Sequence, residues 1–184
     1  MTEAVVVLDM TRDSIAPEAR ALEQRKAILP RTAAYLSWAR KHGRPVIFIC
    51  SARRKTDKWW RKYWELANEI WTPGQAPIPE LFDAQQDTIV HKRRYSAFFE
   101  SDLDLTLREM GVDSLVLLGW STSLAVVTTA VDAWQLGYPT RIAADLTISH
   151  AWGGHSVEET QQWSLDFIVA MAKSEITSST ELMK

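Results

Sequence analysis

The chain has 184 residues, of which 46% are hydrophobic and 24% are charged, and its formal net charge is −2. This composition predicts one globular domain over residues 1–184, and it argues against a nucleic-acid partner, which would require a broad basic surface. The sequence shows no apolar signal-peptide core near Met1 and no apolar run that could span a bilayer, and it has a single cysteine, Cys50. We therefore expect a cytoplasmic protein that does not bind membranes.

The strands are predicted from apolar, β-branched segments that lack clean alternation. Continuous apolar runs are typical of strands that are buried on both faces, as in a parallel sheet. The predicted strands are residues 4–9, 45–50, 88–92, 114–119 and 140–145, with a short last strand near 175–178.

Helical patterns fill most of the intervals between these strands. Three of them are followed directly by a glycine, which is frequent just past a helix end, and the fourth opens with a capping box of Ser156 and Glu159. The predicted helices are residues 32–42, 102–110, 123–136 and 156 to about 173. The alternation of strands and helices predicts an α/β fold, a three-layer α/β/α sandwich with a mostly parallel, about six-stranded sheet.

Residues 51–86 are the least regular part of the chain. Pro73, Gly74, Pro77 and Pro79 crowd together there, and the segment is too long for a plain connection. We therefore expect it to form a lid or a pocket wall.

Two charged residues end predicted strands, where doubly wound folds bind their ligands. Asp9 follows four apolar residues, and a buried acid is costly unless it is paired or functional, although it could also be a simple turn residue. Lys92 ends the third strand and could pair with Asp9. The alternative is that it belongs to a solvated basic run, because Arg93 and Arg94 follow it directly.

The segment GWSTSLAVVTTAVDAWQLGY, residues 119–138, is typical of a strand–turn–helix elbow. Backbone amides at the start of such a helix can hold an oxyanion. The residue at the position of a nucleophile is Ala125, which has no nucleophilic chemistry. The alternative interpretation is a plain crossover helix with an alanine for close packing.

Four segments together resemble the isochorismatase-like superfamily, also called the cysteine hydrolases: VVVLDM, WTPGQAPIPEL, HKRRYSAFFESDLDLTLREMG and GWSTSLAVVTTAVDA. By position, the resemblance implies that Asp9 is the general base, that Lys92 is its electrostatic partner and that Ala125 replaces the cysteine nucleophile. It also implies an oxyanion hole made by the amides of Ser121 and Ala125, a cis peptide bond at Trp120–Ser121, and a homo-oligomer.

Three interpretations of Ala125 follow. The favoured one is an inactivated Cys→Ala variant of a hydrolase that cleaves an amide, lactam or ureido C–N bond of a small molecule. In the second, the protein needs no thiol and hydrolyses an isochorismate-like vinyl ether with Asp9 as general acid. In the third, it is a non-catalytic ligand-binding homologue.

The substrate side is predicted from residues 53–64, which interleave basic and aromatic side chains. They form either a surface helix that docks on the core or on a partner subunit, or a cap that steers an anionic, planar or cyclic substrate. Under the second interpretation, the predicted substrate contacts are Arg53, Arg54, Trp59, Trp60, Tyr63, Phe98 and Trp120. No metal or other cofactor is expected, because the histidine motif of the family's nicotinamidase branch is missing after the second strand.

Overall fold

The structure is a computed structural model, and it describes residues 2–19, 21–54, 56–57 and 72–184. Three of the predicted substrate contacts, Trp59, Trp60 and Tyr63, lie outside these described residues.

One six-stranded sheet forms the centre of the fold. Its strands are β1 (Glu3–Leu8), β2 (Val46–Ser51), β3 (Thr88–Lys92), β4 (Ser114–Trp120), β5 (Thr140–Ile148) and β6 (Glu175–Thr177). They lie in the order β3-β2-β1-β4-β5-β6, and every neighbouring pair is parallel. The predicted α/β fold with a mostly parallel sheet of about six strands is confirmed.

Helices cover both faces of this sheet. In the described part of the chain they are α1 (Leu22–Lys41), α2 (Leu103–Glu109), α3 (Val127–Gln135), α4 (Val157–Ala172) and the short α5 (Ser179–Leu182). Buried side chains of α2, α3 and α4 share one apolar core with one face of the sheet, and those of α1 and α5 share a second core with the other face. In β1, for example, Val6 packs in the first core and Val7 in the second, because successive side chains of a strand point to opposite faces. None of the described helices is both long and apolar enough to cross a membrane.

The chain reverses its direction across the sheet between β1 and β4. Strands β1 to β3 extend to one side of this point, and β4 to β6 extend to the other. In open α/β sheets, the loops that leave two such strands part in opposite directions and leave a crevice at their carboxyl ends. Asp9 and the segment after Gly119 lie at the two strand ends that border this crevice, because Leu8 pairs with Gly119.

Helix α1 begins at Leu22, ten residues before the predicted start, and continues through Pro30. A proline in a helix interior removes one hydrogen bond and disfavours the helix, so the local pattern points to a later start. Tertiary contacts hold the first turns instead. The Arg25 guanidinium lies 5.0 Å from the Trp120 ring centroid and donates a 2.8 Å hydrogen bond to the Ser14 carbonyl.

Strand β5 extends to Ile148, past the predicted end at residue 145, because its pairing with β4 shifts register and then resumes. Leu117 pairs with Ile142, whereas Gly119 pairs with Thr147. Within the irregular stretch, the Asp145 carboxylate accepts hydrogen bonds from the Ser179 amide and hydroxyl at the start of α5. The interruption therefore anchors the last helix.

Gly119 is expected to tolerate no side chain. Its φ is +108°, and a Cβ added there would lie 2.1 Å from the Leu8 carbonyl oxygen in the neighbouring strand. We expect Gly119→Ala to lower the free energy of unfolding by about 3 kcal/mol or more, because backbone strain and a backbone clash coincide. Urea denaturation measures this loss. The matched control is Gly111→Ala, where φ is +65° and nothing lies within 4 Å of the added Cβ. An equal loss of unfolding free energy in the two variants would show that the clash with Leu8 is not the cause.

Candidate active site

A buried ion pair joins the ends of β1 and β3. Lys92 Nζ lies 2.7 Å from Asp9 Oδ2, and the Asp9 Oδ1 atom accepts a 3.0 Å hydrogen bond from the Ser51 amide at the end of β2. Lys92 Nζ also donates to the Tyr95 carbonyl at 2.6 Å. Three adjacent strand ends thus fix one carboxylate and one ammonium in a defined geometry, as the sequence predicts for Asp9 and Lys92.

The two members of this pair differ in burial. The Lys92 side chain is 1% exposed, whereas the Asp9 side chain is 20% exposed and forms the solvent-facing end. Burial lowers the pKa of Lys92 from its ordinary value, and the adjacent Asp9 charge only partly opposes this change. The carboxylate is therefore the member of the pair that a substrate can reach.

Asp9 has a backbone conformation that is unusual for a residue other than glycine. Its φ is +53°, and its amide donates to the Ile49 carbonyl at 2.9 Å. Aspartate and asparagine tolerate this left-handed region better than most residues do, and such conformations are concentrated at functional sites. The turn directs the chain away from the sheet immediately after the carboxylate.

The β4–α3 elbow carries Ala125. The Trp120–Ser121 peptide bond is cis, as the resemblance predicts, and a π-helical turn over Thr122–Val126 follows. The amides of Leu124 and Val126 donate to the Ser121 carbonyl at 3.1 and 3.2 Å. These bonds shape the turn that contains Ala125, whose methyl group is buried just before α3.

Arg53 is buried beside the ion pair. Its Nη1 atom lies 3.3 Å from the Lys92 carbonyl and 3.4 Å from the Ala52 carbonyl, to both of which it donates. Burial lowers the pKa of Arg53, and the Asp9 charge opposes this change. By contrast, the Arg54 side chain is exposed, and its backbone amide donates to Asp57 at 2.9 Å. The structure brings Arg53, but not Arg54, to the ion pair.

Asp57, an acidic residue that the sequence analysis did not select, links the loop after β2 to the loop after β3. Asp57 is buried, and both of its oxygens accept hydrogen bonds from the Arg93 guanidinium. Arg93 holds the pKa of Asp57 below its ordinary value, mainly through the hydrogen bond to its side chain. The pair joins the loop that carries Arg53 to the residue next to Lys92. The sequence signal for this pair is a lone acid within a basic stretch.

Gln75 is a second residue that the sequence analysis missed. It lies in a 3₁₀ turn, Pro73–Gln75, which contacts the turn after β1, and the Arg12 amide donates to the Ala76 carbonyl next to it. Gln75 is buried, and its Oε1 atom has no hydrogen-bond partner among the described residues. A buried amide oxygen without a donor is costly, so Gln75 is a further candidate for contact with a bound molecule. The sequence gives no signal for this residue, because Gln75 lies in a loop that is rich in proline and glycine.

The remaining predicted contacts lie in packed positions. Trp120 is fully buried in the α1-side core under Arg25, and the Phe98 ring stacks on Tyr138 at a centroid distance of 5.9 Å. Cys50 is also buried on the α1 side, and burial raises its pKa to about 12. The Cys50 thiol therefore stays protonated at neutral pH, as expected of a structural cysteine rather than a nucleophile.

Comparison with known proteins gives one family for this architecture. The family described as the Isochorismatase domain matches residues 3–181. An isochorismatase-like hydrolase from Alkaliphilus metalliredigens has a similar structure, with a TM-score of 0.86, 30% identity and coverage of 100% of this chain and 98% of that one.

Two further relatives have names that describe reactions. The structure of a pyrazinamidase/nicotinamidase from Streptococcus mutans UA159 aligns with a TM-score of 0.84 and 26% identity over 96% of this chain and 100% of that one. The ureidoacrylate amidohydrolase RutB from Variovorax paradoxus is 36% identical over 89 residues, which span 48% of this chain and 34% of that protein.

Proposed function

The chain belongs to the isochorismatase family of hydrolases, and on this basis we propose that its site is built to hydrolyse a small molecule at an amide, lactam or ureido C–N bond. The observation that carries the proposal is the Asp9–Lys92 ion pair at the ends of β1 and β3, beside the elbow that carries Ala125. Relatives named for pyrazinamide, nicotinamide and ureidoacrylate hydrolysis support the C–N bond as the target.

The proposed chemistry uses a cysteine at position 125. Asp9 takes the thiol proton, the sulfur attacks the carbonyl carbon, and the amides of Ser121 and residue 125 hold the oxyanion. The C–N bond then breaks while Asp9 returns the proton to the leaving nitrogen, and water hydrolyses the thioester. The Lys92 ammonium pairs with the Asp9 carboxylate and holds it in place before the attack. With Ala125, the chain has every group of this scheme except the thiol, so we propose that it is an inactivated form that binds without turnover.

The proposed substrate contacts begin with Arg53. Its buried guanidinium beside Asp9 supports binding of an anionic or polar group of a small, cyclic substrate. Arg54, Phe98 and Trp120 remain proposed contacts with weaker support, because they lie on the surface or within packed positions.

We also propose that residues 1–184 form one hydrolase domain that functions as a homo-oligomer in the cytoplasm. The family match over residues 3–181 supports the single domain, and the lone buried Cys50 suits a reducing compartment.

The deciding experiment is a parallel hydrolysis screen of this chain and its Ala125→Cys variant on small amides, cyclic imides, ureides and isochorismate. We expect turnover of a C–N substrate by the cysteine variant alone. Activity of the alanine chain on isochorismate would instead assign vinyl-ether hydrolysis to Asp9 as general acid. If neither protein is active on any compound, the chain is a ligand-binding homologue and the proposal is wrong.

A further inference from the structure

Gln75 is a buried glutamine whose side-chain oxygen accepts no hydrogen bond within the described part of the chain. The residue is 5% exposed, and the atom concerned is Oε1. A carbonyl oxygen that is removed from water without gaining a donor destabilises the fold, because its desolvation is not compensated. A bound molecule that offers a donor to this oxygen would remove the penalty.

The backbone next to Gln75 is held against the turn that follows Asp9. Residues 76–78 pair antiparallel with residues 10–12, and two backbone hydrogen bonds of 3.0 Å join the two segments. The Ile78 side chain is fully buried in the α1-side core and anchors this short ribbon. Moving Gln75 outward into solvent would break these contacts, so the fold holds its side chain in the buried position.

The same contacts place Gln75 at the end of the sheet that carries the ion pair. The 3₁₀ turn that ends at Gln75 contacts a second 3₁₀ turn, Arg12–Ile15. Within that second turn, Asp13 lies near the end of β2: burial raises the pKa of the Cys50 thiol there, and the charges of Asp9 and Asp13 add to this effect. Gln75 thus belongs to the wall around the carboxyl ends of β1 and β2.

From this position we propose that Gln75 selects the substrate by accepting a hydrogen bond from a substrate N–H group. The inference rests on the proposed hydrolysis of a C–N bond, and it narrows the substrate class to molecules with a free N–H, such as a primary amide, a cyclic imide or a ureide. A carboxamide oxygen can only accept, so it requires a donor on the ligand. An analogue that lacks the N–H leaves the oxygen unpaired in the complex and binds less tightly.

Binding of two probe pairs to the chain with Ala125 tests the proposal without turnover. Hydantoin and nicotinamide have N–H groups, whereas their fully N-methylated analogues have none. In isothermal titration, the N–H probes should bind about tenfold more tightly than their methylated analogues, which is the effect of one hydrogen bond between neutral groups. Gln75→Met keeps the length of the side chain but removes the acceptor, so it should abolish this preference.

The stability of the free chain gives a second readout. Because the Gln75 Oε1 atom has no donor, Gln75→Met should raise the midpoint of urea denaturation by roughly 0.5 M. The matched control is Gln161→Met, since the Gln161 side chain accepts from the Ser149 amide and donates to Thr147 Oγ1, both at 2.9 Å. The control should lower the midpoint and keep the preference for N–H probes.

Three results would overturn the proposal: no saturable binding of either N–H probe, a preference for N–H probes that persists in Gln75→Met, or a midpoint that Gln75→Met lowers as the control does. Circular dichroism checks folding, and Gln75→Leu replaces Gln75→Met if that variant does not fold. The hydrolysis itself is tested separately. An inactive Ala125→Cys variant with an intact N–H preference would contradict the chemistry alone, whereas turnover without the preference would contradict the role of Gln75 alone.

Discussion

In an Ala125→Cys background, Asp9→Asn is expected to lower kcat/KM for a C–N substrate by about 10²- to 10⁴-fold, the range that general acid–base catalysis contributes. Asparagine keeps the shape of aspartate and tolerates the left-handed backbone at φ +53°. It also retains an oxygen that can accept from the Ser51 amide. The variant therefore removes the charge and the basicity while it preserves the turn, and steady-state hydrolysis measures the loss.

Thiol labelling separates loss of the base from loss of the nucleophile. Iodoacetamide should label the thiol that Ala125→Cys introduces, both with Asp9 intact and in the Asp9→Asn background. Cys50 should stay unlabelled in both, because it is buried and its pKa is raised to about 12. The matched control, Asp132→Asn, removes an acid of α3 that accepts a hydrogen bond from Gln135 and should leave turnover unchanged. Full activity in Asp9→Asn would show that Asp9 is not the base.

The second large effect is expected in the free energy of unfolding of the protein when the Asp9–Lys92 ion pair is broken. Asp9→Asn leaves the fully buried ammonium of Lys92 without its anion, which should lower the free energy of unfolding by ~3 kcal/mol or more. The double variant Asp9→Asn/Lys92→Met removes both charges and keeps an apolar chain of similar length. It should be more stable than Asp9→Asn alone, because no uncompensated charge remains.

The pH dependence of Asp9→Asn follows from the lowered pKa of Lys92. In the unfolded chain Lys92 titrates near its ordinary value of 10.5, and burial lowers that pKa in the fold. Between the two values the unfolded state binds more protons, so stability rises with pH. Without Asp9, nothing opposes this lowering, so the free energy of unfolding of Asp9→Asn should rise with pH toward 10.5 more steeply than that of the unchanged chain. In the double variant, the contribution of Lys92 to this pH dependence should be absent. Urea denaturation across this range checks both expectations, and a free energy of unfolding that rises no more steeply in Asp9→Asn than in the unchanged chain would contradict them.

Much of this protein is encoded locally in its sequence. The β-branched runs and the glycine-terminated helices predicted the α/β sandwich, because strand and helix periodicity depend on neighbouring residues alone. The strand-end positions of Asp9 and Lys92 allowed their pairing, since parallel strands end at one edge of the sheet, but left a turn residue and a solvated basic run as alternatives. The elbow with Ala125 was equally visible, because its glycine and small hydroxyl residues directly precede a helix.

Other features required the packed molecule, because they depend on residues that are distant in the chain. Helix α1 continues through Pro30 since Arg25 is held by Trp120 and Ser14. The ion pair of Asp57 with Arg93 forms only when the two loops pack together. Gln75 is recognised as a candidate only because folding buries its Oε1 atom without a donor among the described residues.

The sequence by itself determined the fold class, because short-range patterns and strand order specify it, and the resemblance of four segments indicated the family and the positions of Asp9, Lys92 and Ala125. Only the tertiary structure decided which side chains lie beside those residues. It buried Arg53 at the ion pair, placed Trp120 in the core and packed α3 against α4. The physical reason is that burial and side-chain direction are set by the packing of distant segments, which no local pattern contains.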